Sequence, residues 1–175
     1  QMHGSPGHNG QYREPYETTD KWGKAVIERG GIPLTYVQTA RRSDDYVEAF
    51  PEHMLFNESY RLREDGHRHH WDRKADRKTG YWGYDFTDED FRSHMKDVYA
   101  NLRDGCIKGL MFDYPFRTGW AHEGGFDDEH ATTAHAYREI FRLAYDGLGP
   151  ECYIHERIIN RGSDLTLGLV ASQRT

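Results

Sequence analysis

The carboxylate of Asp113 stands at the end of the apolar segment "GLMFD", and Pro115 follows two residues later. An aspartate just before a proline is also ordinary turn chemistry. Here the carboxylate ends an apolar segment that is expected to be buried. The free-energy cost of removing the carboxylate from water must therefore be offset by a binding partner or be retained for a function. In parallel α/β sheets, the carboxyl ends of strands are where catalytic groups are presented. Asp113 is therefore the first candidate catalytic residue.

A second group of candidate functional side chains, all ionisable, follows the apolar residues "CYI" in the segment "HERIINRGSD". A salt-bridged surface loop would account for such a mixture of charges. A cluster of both signs at the same edge as Asp113 would equally suit the binding of sugar hydroxyls. The cluster has five ionisable members, namely His155, Glu156, Arg157, Arg161 and Asp164.

The histidine run "HRHH" at 67–70 raises the question of a metal site. Closed metal sites usually combine ligands at strand or helix spacing with a second pair elsewhere. This run lies in the polar segment "REDGHRHHWDRKADRKTG", which is typical of a solvated loop, and His3 and His8 lie in a similar context. No nucleotide-binding or serine-hydrolase motif is present. The sequence predicts neither a metal nor a cofactor, although a metal-dependent hydrolase remains an alternative.

Composition narrows the class of partner. The 175 residues carry a formal net charge of -6, which argues against a nucleic-acid backbone as partner. No apolar segment approaches the roughly 20 residues of a membrane span. Aromatic residues make up 14%, with 12 Tyr and 4 Trp, a composition that suits sugar-binding clefts. Cys106 and Cys152 each open an apolar segment and are predicted to be small buried side chains.

Periodicity predicts helices and strands in alternation. Residues 1–17 are predicted to be a loop on the catalytic face. Thr87 is the expected N-cap of the clearest helix, and Gly105 and Gly147 are expected helix ends. The predicted helices cover 18–31, 43–55, 87–105 and 128–147; the predicted strands cover 32–39, 81–86, 107–113, 152–157 and 165–172.

This alternation favours a parallel sheet with helices packed outside it. Residues at the carboxyl ends of its strands are expected to share one edge and to contact the substrate. The candidate substrate-binding residues are Tyr36, Gln38, Met111, Tyr114, Trp120, His155, Glu156, Arg161, Asp164 and Arg174.

From about residue 20 to its end, the chain resembles the retaining α-galactosidases of glycoside hydrolase family 36 and their relatives in families 27 and 31. Residues 26–55 are similar to the block that leads through the third barrel strand, and 62–115 to the block that ends at the nucleophile. The terminal "SQRT" resembles the end of the sixth strand in family 31, where an arginine contacts the sugar. The order and spacing of these blocks carry the resemblance.

The resemblance implies a (β/α)8 TIM barrel of which this chain covers about strands 3 to 6, with 1–175 as part of one catalytic domain. It also implies double displacement, with Asp113 as the nucleophile. Met111 stands where the family usually has a sugar-binding lysine. The acid/base is expected beyond Thr175, in a part of a larger enzyme, with Asp164 as the alternative.

The sequence thus predicts a retaining glycoside hydrolase that removes α-linked galactose-like sugars from oligo- or polysaccharides. A catalytically inactive carbohydrate-binding barrel is the alternative from another class. The expected partner is a carbohydrate, with no nucleic acid and no membrane; a homo-oligomer is left open. Location is undetermined, and a periplasmic or secreted enzyme is favoured if the parent protein degrades polysaccharide.

Overall fold

The computed structural model describes residues 17–38, 40–41, 50, 53–55, 82–113, 115, 126, 128, 130–157 and 163–174. In this part of the chain the helices are α1 (Glu17–Ile27), α2 (Glu89–Asp104) and α3 (Thr133–Leu148), and a short 3-10 helix spans Ser163–Thr166. The strands are β1 (Leu34–Gln38), β2 (Ala40–Arg41), β3 (Trp82–Gly83), β4 (Gly109–Asp113), β5 (Tyr153–Arg157) and β6 (Ser172–Arg174).

Four strands form one parallel sheet in the order β1-β4-β5-β6. The helix α2 precedes β4 and α3 precedes β5, so the predicted alternation of helices and parallel strands is confirmed here. Of the predicted strand 81–86, Trp82–Gly83 forms β3, which pairs antiparallel with β2 in a separate ribbon, and Tyr84 bridges to Met54. The strand is shorter than predicted and lies outside the parallel sheet, because Tyr84 and Phe86 are buried under α2, where both rings pack against Phe91.

The helix α2 begins one residue later than predicted. Its N-cap is Asp88, whose carboxylate accepts a hydrogen bond of 2.7 Å from the backbone N–H of Phe91. Thr87 instead donates its own N–H and hydroxyl to Asp85, which commits both groups before the helix starts. Gly105 ends the helix as predicted.

The helix α3 continues past its predicted end at Gly147. Its C-cap is Gly149, which adopts a φ of 102° that favours glycine. Gly147 lies inside the helix because α2 and α3 approach each other there, and a Cβ on it would lie 2.4 Å from the Cβ of Tyr99. Its small size permits close helix packing and does not mark the end of the helix.

The last strand also differs from prediction. Residues 165–172 were expected to be extended, yet the 3-10 helix, a turn through Gly168 and then the short β6 occupy this region. Leu165, Leu169 and Val170 pack against the core from irregular backbone, so their apolar character reflects burial rather than strand geometry.

The sheet has two chemically different faces, since side chains alternate along each strand. One face packs against α2 and α3 and is buried along β4 and β5, and Phe112 meets Phe141 edge to face at 5.1 Å. We call the opposite face the inner face. It carries Tyr36, Met111, Asp113, His155 and Arg157, among others, at alternate positions.

The two cysteines are less buried than expected. Both are free and half-buried, and each thiol donates a hydrogen bond. Cys106 contacts Asp20 Oδ1 at 3.1 Å, and Cys152 lies 3.9 Å from the carbonyl of Ala144. In the described residues, we find no helix with the length and apolar character needed to cross a membrane.

Candidate active site at the carboxyl ends of the strands

The four parallel strands end together on one line across the sheet. In register, Gln38 pairs with Asp113, Asp113 with Arg157, and Arg157 with Arg174. Asp113, Arg157 and Arg174 share the inner face, so the sheet brings one carboxylate and two guanidinium-bearing residues to one edge. Parallel pairing places them there because it aligns the carboxyl ends of strands that are distant in sequence.

Asp113 is buried, with 5% of its surface exposed, and is held by two donors. The hydroxyl of Tyr36, from β1, donates a short hydrogen bond to Oδ2. Arg157, from β5, lies with Nη1 3.0 Å from the same oxygen. The other oxygen, Oδ1, has no hydrogen-bond partner among the described residues. One oxygen is thus anchored from both neighbouring strands, while the second is uncommitted.

This arrangement has a direct chemical meaning. The Arg157 guanidinium and the Tyr36 hydroxyl both bind Oδ2 and together fix the orientation of the carboxylate. A buried ion pair is a poor source of stability, because desolvation of both charges offsets their attraction. Oδ1 is buried as well, and no described residue engages its lone pairs. These are the properties that a positioned nucleophile requires.

Two residues before the strand ends, a second line crosses the inner face through Tyr36, Met111, His155 and Ser172. Met111 is half-buried and brings no charge to this line. The ring Nδ1 of His155 lies 2.6 Å from Ser172 Oγ, and Tyr153 donates to the same hydroxyl at 2.7 Å. Burial, reinforced by the nearby charge of Arg174, lowers the pKa of His155, and Glu156 partly opposes this shift.

Glu156 lies on the opposite face of the sheet and is fully buried. Its carboxylate accepts hydrogen bonds from Tyr137 of α3 at 2.6 Å, Thr166 of the 3-10 helix at 2.9 Å and Gln173 of β6 at 2.7 Å. The predicted contact of Glu156 with substrate is not tested directly. Its position behind the sheet favours a role in holding β5, β6 and α3 together.

Asp164 is exposed in the 3-10 helix. Its neighbours contact the helical layer, because Arg138 of α3 donates to the carbonyl of Leu165 and Thr166 donates to Glu156. These contacts do not direct Asp164 towards Asp113, and its acid/base role stays a prediction. Arg174 is exposed at the end of β6.

Several predicted residues lie outside the described part of the chain. These are Tyr114, Trp120 and Arg161, the loop at 1–16 and the histidine run at 67–70; for Gln38, the backbone is described but not the side chain. Among the described residues, no cluster of three or more His, Cys, Asp or Glu side chains could hold a metal ion.

Comparison with known proteins places this site in a broader context. No protein-family model and no curated protein sequence matches the chain. Solved structures do match, among them Ega3 from Aspergillus fumigatus in complex with galactosamine, with 13% identity and a TM-score of 0.52, and a variant of the glycoside hydrolase domain of PelA from Pseudomonas aeruginosa, with 13% identity and a TM-score of 0.55. The likeness is one of fold. Each match covers 88% of this chain and 54% of the solved structure, so the chain spans about half their length.

The comparison supports a parallel α/β fold shared with glycoside hydrolase domains, consistent with part of a TIM-barrel-like fold. It does not bear out the narrower resemblance to the α-galactosidase families. The numbering of the strands as barrel strands 3 to 6 likewise stays a prediction.

Three residues of the inner face are absent from the predicted substrate contacts. Arg157 is a member of the predicted charged cluster, whereas no motif in the sequence marks Tyr153 or Ser172. Alternation in β5 was the available signal, since residues 153, 155 and 157 must share one face. Which of the two faces they share depends on the pairing with β4, and the sequence does not give that register.

Proposed function

We propose that this chain forms part of a retaining glycoside hydrolase that removes α-linked galactose-like sugars, with Asp113 as the nucleophile. The observation that carries the proposal is the anchoring of Asp113. Tyr36 and Arg157 both bind Oδ2, and Oδ1 has no partner among the described residues. The contacts to Oδ2 hold the carboxylate in one orientation, so that Oδ1 keeps a fixed position for attack.

The reaction follows from this geometry in two displacements. Oδ1 attacks the anomeric carbon, the glycosidic C–O bond breaks, and a second carboxyl group donates a proton to the departing oxygen. Water, deprotonated by that second carboxylate, then attacks the same carbon and releases Asp113 from the glycosyl ester. Arg157 and Tyr36 stabilise Asp113 as it returns to the anion.

The second carboxyl group is proposed to lie outside the described residues, beyond Thr175, with Asp164 as the alternative. Asp113 is the one carboxylate on the inner face of the described strands. The helical contacts around Asp164 make it the weaker of the two choices.

The proposed glycone is galactose or a galactose-like amino sugar. The sequence resemblance favours α-galactosides, and the solved structure of Ega3 contains galactosamine. Met111 lies on the inner face, at the position where the α-galactosidase families that the sequence resembles have a lysine. Its uncharged side chain suits contact with an uncharged surface of the sugar. Arg174, at the exposed end of β6, is the proposed contact to sugar hydroxyls at the mouth of the site.

Trapping of the glycosyl-enzyme tests the proposal. The full-length protein would be incubated with a 2-fluoro-α-galactosyl donor, and its intact mass and peptides measured. We expect one sugar adduct on the peptide that contains Asp113. The adduct should be lost in Asp113→Asn and retained in Asp164→Asn if the acid/base lies beyond Thr175.

Other results would redirect the assignment. An adduct on a different carboxylate would overturn the role of Asp113. Absence of both adduct and hydrolysis, in protein that still binds galactose by calorimetry, would favour the inactive carbohydrate-binding barrel. Activity lost with a chelator and restored by added metal would instead favour a metal-dependent hydrolase.

A further inference from the structure

A chain of three hydrogen-bonding groups lies on the inner face, two residues before the strand ends. The phenol of Tyr153 donates to Ser172 Oγ at 2.7 Å. Ser172 Oγ lies 2.6 Å from Nδ1 of His155. A serine hydroxyl has a single proton to donate and can accept a hydrogen bond at the same time. Because it already accepts from Tyr153, its own proton is available to Nδ1.

This order favours one tautomer of the imidazole. If Nδ1 accepts the serine proton, the neutral ring carries its hydrogen on Nε2. Burial and the charge of Arg174 both lower the pKa of His155, which favours the neutral ring at pH 7. Among the described residues, Nδ1 is the ring nitrogen with a hydrogen-bond partner, and Nε2 has none.

The position of His155 relates this N–H to the candidate nucleophile. His155 is half-buried on the inner face, precedes Arg157 by two residues and pairs in register with Met111 of β4. Two residues of a strand span about 6.6 Å, so the histidine lies one layer before Asp113 along the sheet. Met111, its register partner in that layer, offers no competing N–H or O–H donor.

We propose that His155 binds the sugar held by Asp113 through a hydrogen bond from Nε2–H to a neutral sugar oxygen. The inference rests on the proposed function and specifies one of its contacts. The bound group is a hydroxyl or an amide carbonyl oxygen and not an ammonium group, because an N–H donor requires an acceptor. Tyr153 and Ser172 act through His155 as positioning residues, since they set its tautomer.

The tautomer is tested without any activity measurement. Long-range ¹H–¹⁵N NMR of the full-length protein distinguishes protonated from unprotonated ring nitrogens. The signal of His155 is assigned by its loss in His155→Gln. We expect an unprotonated Nδ1 and a protonated Nε2 at pH 7, with Ser172→Ala shifting the balance towards the other tautomer. The exposed His135 of α3 serves as internal control and should not respond. A proton on Nδ1 of His155 would overturn the proposal.

The contact with sugar is tested by kinetics on a nitrophenyl α-galactoside. Loss of one neutral hydrogen bond predicts a KM about fivefold to tenfold higher in His155→Ala, with kcat changed much less. The amide of His155→Gln reaches close to the position of Nε2 and should restore most of the affinity. His135→Ala should behave as wild type. An unchanged KM in His155→Ala would refute the contact.

Failure of the proposed function is distinguishable from failure of this inference. If the wild-type protein hydrolyses no galactoside, galactose is titrated instead and the Nε2 signal of His155 is followed by NMR. A saturable shift of that signal, with none at His135, would support the contact in a binding protein. No shift, in protein that binds galactose by calorimetry, would overturn it.

Discussion

At the scale of single residues, Arg157 helps to decide which oxygen of Asp113 is engaged. It joins Tyr36 on one carboxylate oxygen and so leaves the other oxygen for chemistry. A lysine would supply charge but not the same planar guanidinium geometry. The sequence places Arg157 far from Asp113, and only the pairing of β4 with β5 brings them together.

Removal of this arginine tests its role. Arg157→Met keeps much of the side-chain volume but removes the contact to Asp113. We expect kcat on an α-galactoside to fall by about 100-fold, since a misplaced nucleophile loses near-attack geometry. Steady-state kinetics would measure the loss.

Arg142→Met is the matched control. Arg142 also pairs with a buried carboxylate, that of Glu139 at 2.9 Å, but on the surface of α3. Its kcat should stay within about twofold of wild type, and comparable losses in the two variants would show that the effect is one of general destabilisation.

At the scale of elements, the side chains of β5 alternate between the two faces of the sheet and have a different role on each face. His155 and Arg157 face the inner side, whereas Glu156 between them accepts three hydrogen bonds on the other side. Those donors come from α3, the 3-10 helix and β6. One carboxylate thus connects the strand that carries Arg157 to three neighbouring elements.

Glu156→Gln should weaken that connection. The amide nitrogen cannot accept, so at least one buried donor loses its partner at a cost of about 2 kcal/mol. We expect a lower free energy of unfolding in urea, and also a lower kcat/KM under conditions where the variant is fully folded, because β5 positions Arg157.

Glu139→Gln provides a control for stability alone. Glu139 is buried too, with 4% of its surface exposed, yet it pairs with Arg92 and Arg142 on the helical surface. This variant should lose stability and keep its kcat/KM. If Glu156→Gln behaved in the same way, Glu156 would have no part in positioning the site.

Sequence reasoning succeeded where the pattern is local. The amphipathic faces of α2 and α3 and the apolar β4 follow from periodicity, and the structure confirms them. It failed where tertiary packing decides: Gly147 lies at a helix crossing, and Leu165, Leu169 and Val170 are buried without being extended. It also could not give the register between strands. That register alone decides which of Glu156 and Arg157 lies on the inner face.

At the scale of the whole molecule, the helices and the sheet bury tyrosine hydroxyls and partly bury a cysteine thiol, all of which are weak acids. Burial raises the pKa of Tyr99 and, together with its hydrogen bond to Glu156, the pKa of Tyr137. Burial also raises the pKa of Cys152 to about 11. Each group stays protonated in the folded protein at a pH where it ionises in the unfolded chain.

These raised pKa values make the folded protein less stable at high pH. Between the ordinary pKa and the raised one, the folded state binds more protons, so the free energy of unfolding falls as pH rises. We expect full stability below about pH 9, the ordinary range of a thiol, and a progressive loss above it. Urea unfolding at a series of pH values from 8 to 11 would measure this loss.

The variant Tyr99→Phe isolates the contribution of Tyr99 to this pH dependence of stability. The Tyr99 hydroxyl is buried and has no hydrogen-bond partner among the described residues, so its removal should raise stability by about 1 kcal/mol at pH 8. The variant should also lose stability less steeply above pH 10, where the unfolded tyrosine ionises. A slope identical to that of wild type would contradict the role given to Tyr99.

The alternation of β5 also restricts how the protein can change in evolution. Inserting or deleting one residue within Tyr153–Arg157 would turn every later side chain of the strand to the other face. A one-residue slip would bring Glu156 to the inner face and bury Arg157 on the face that packs against α3, so the contact to Asp113 and the core would be lost in one step. Homologous genes should therefore vary in length in the loops on either side of β5 but not within its five codons.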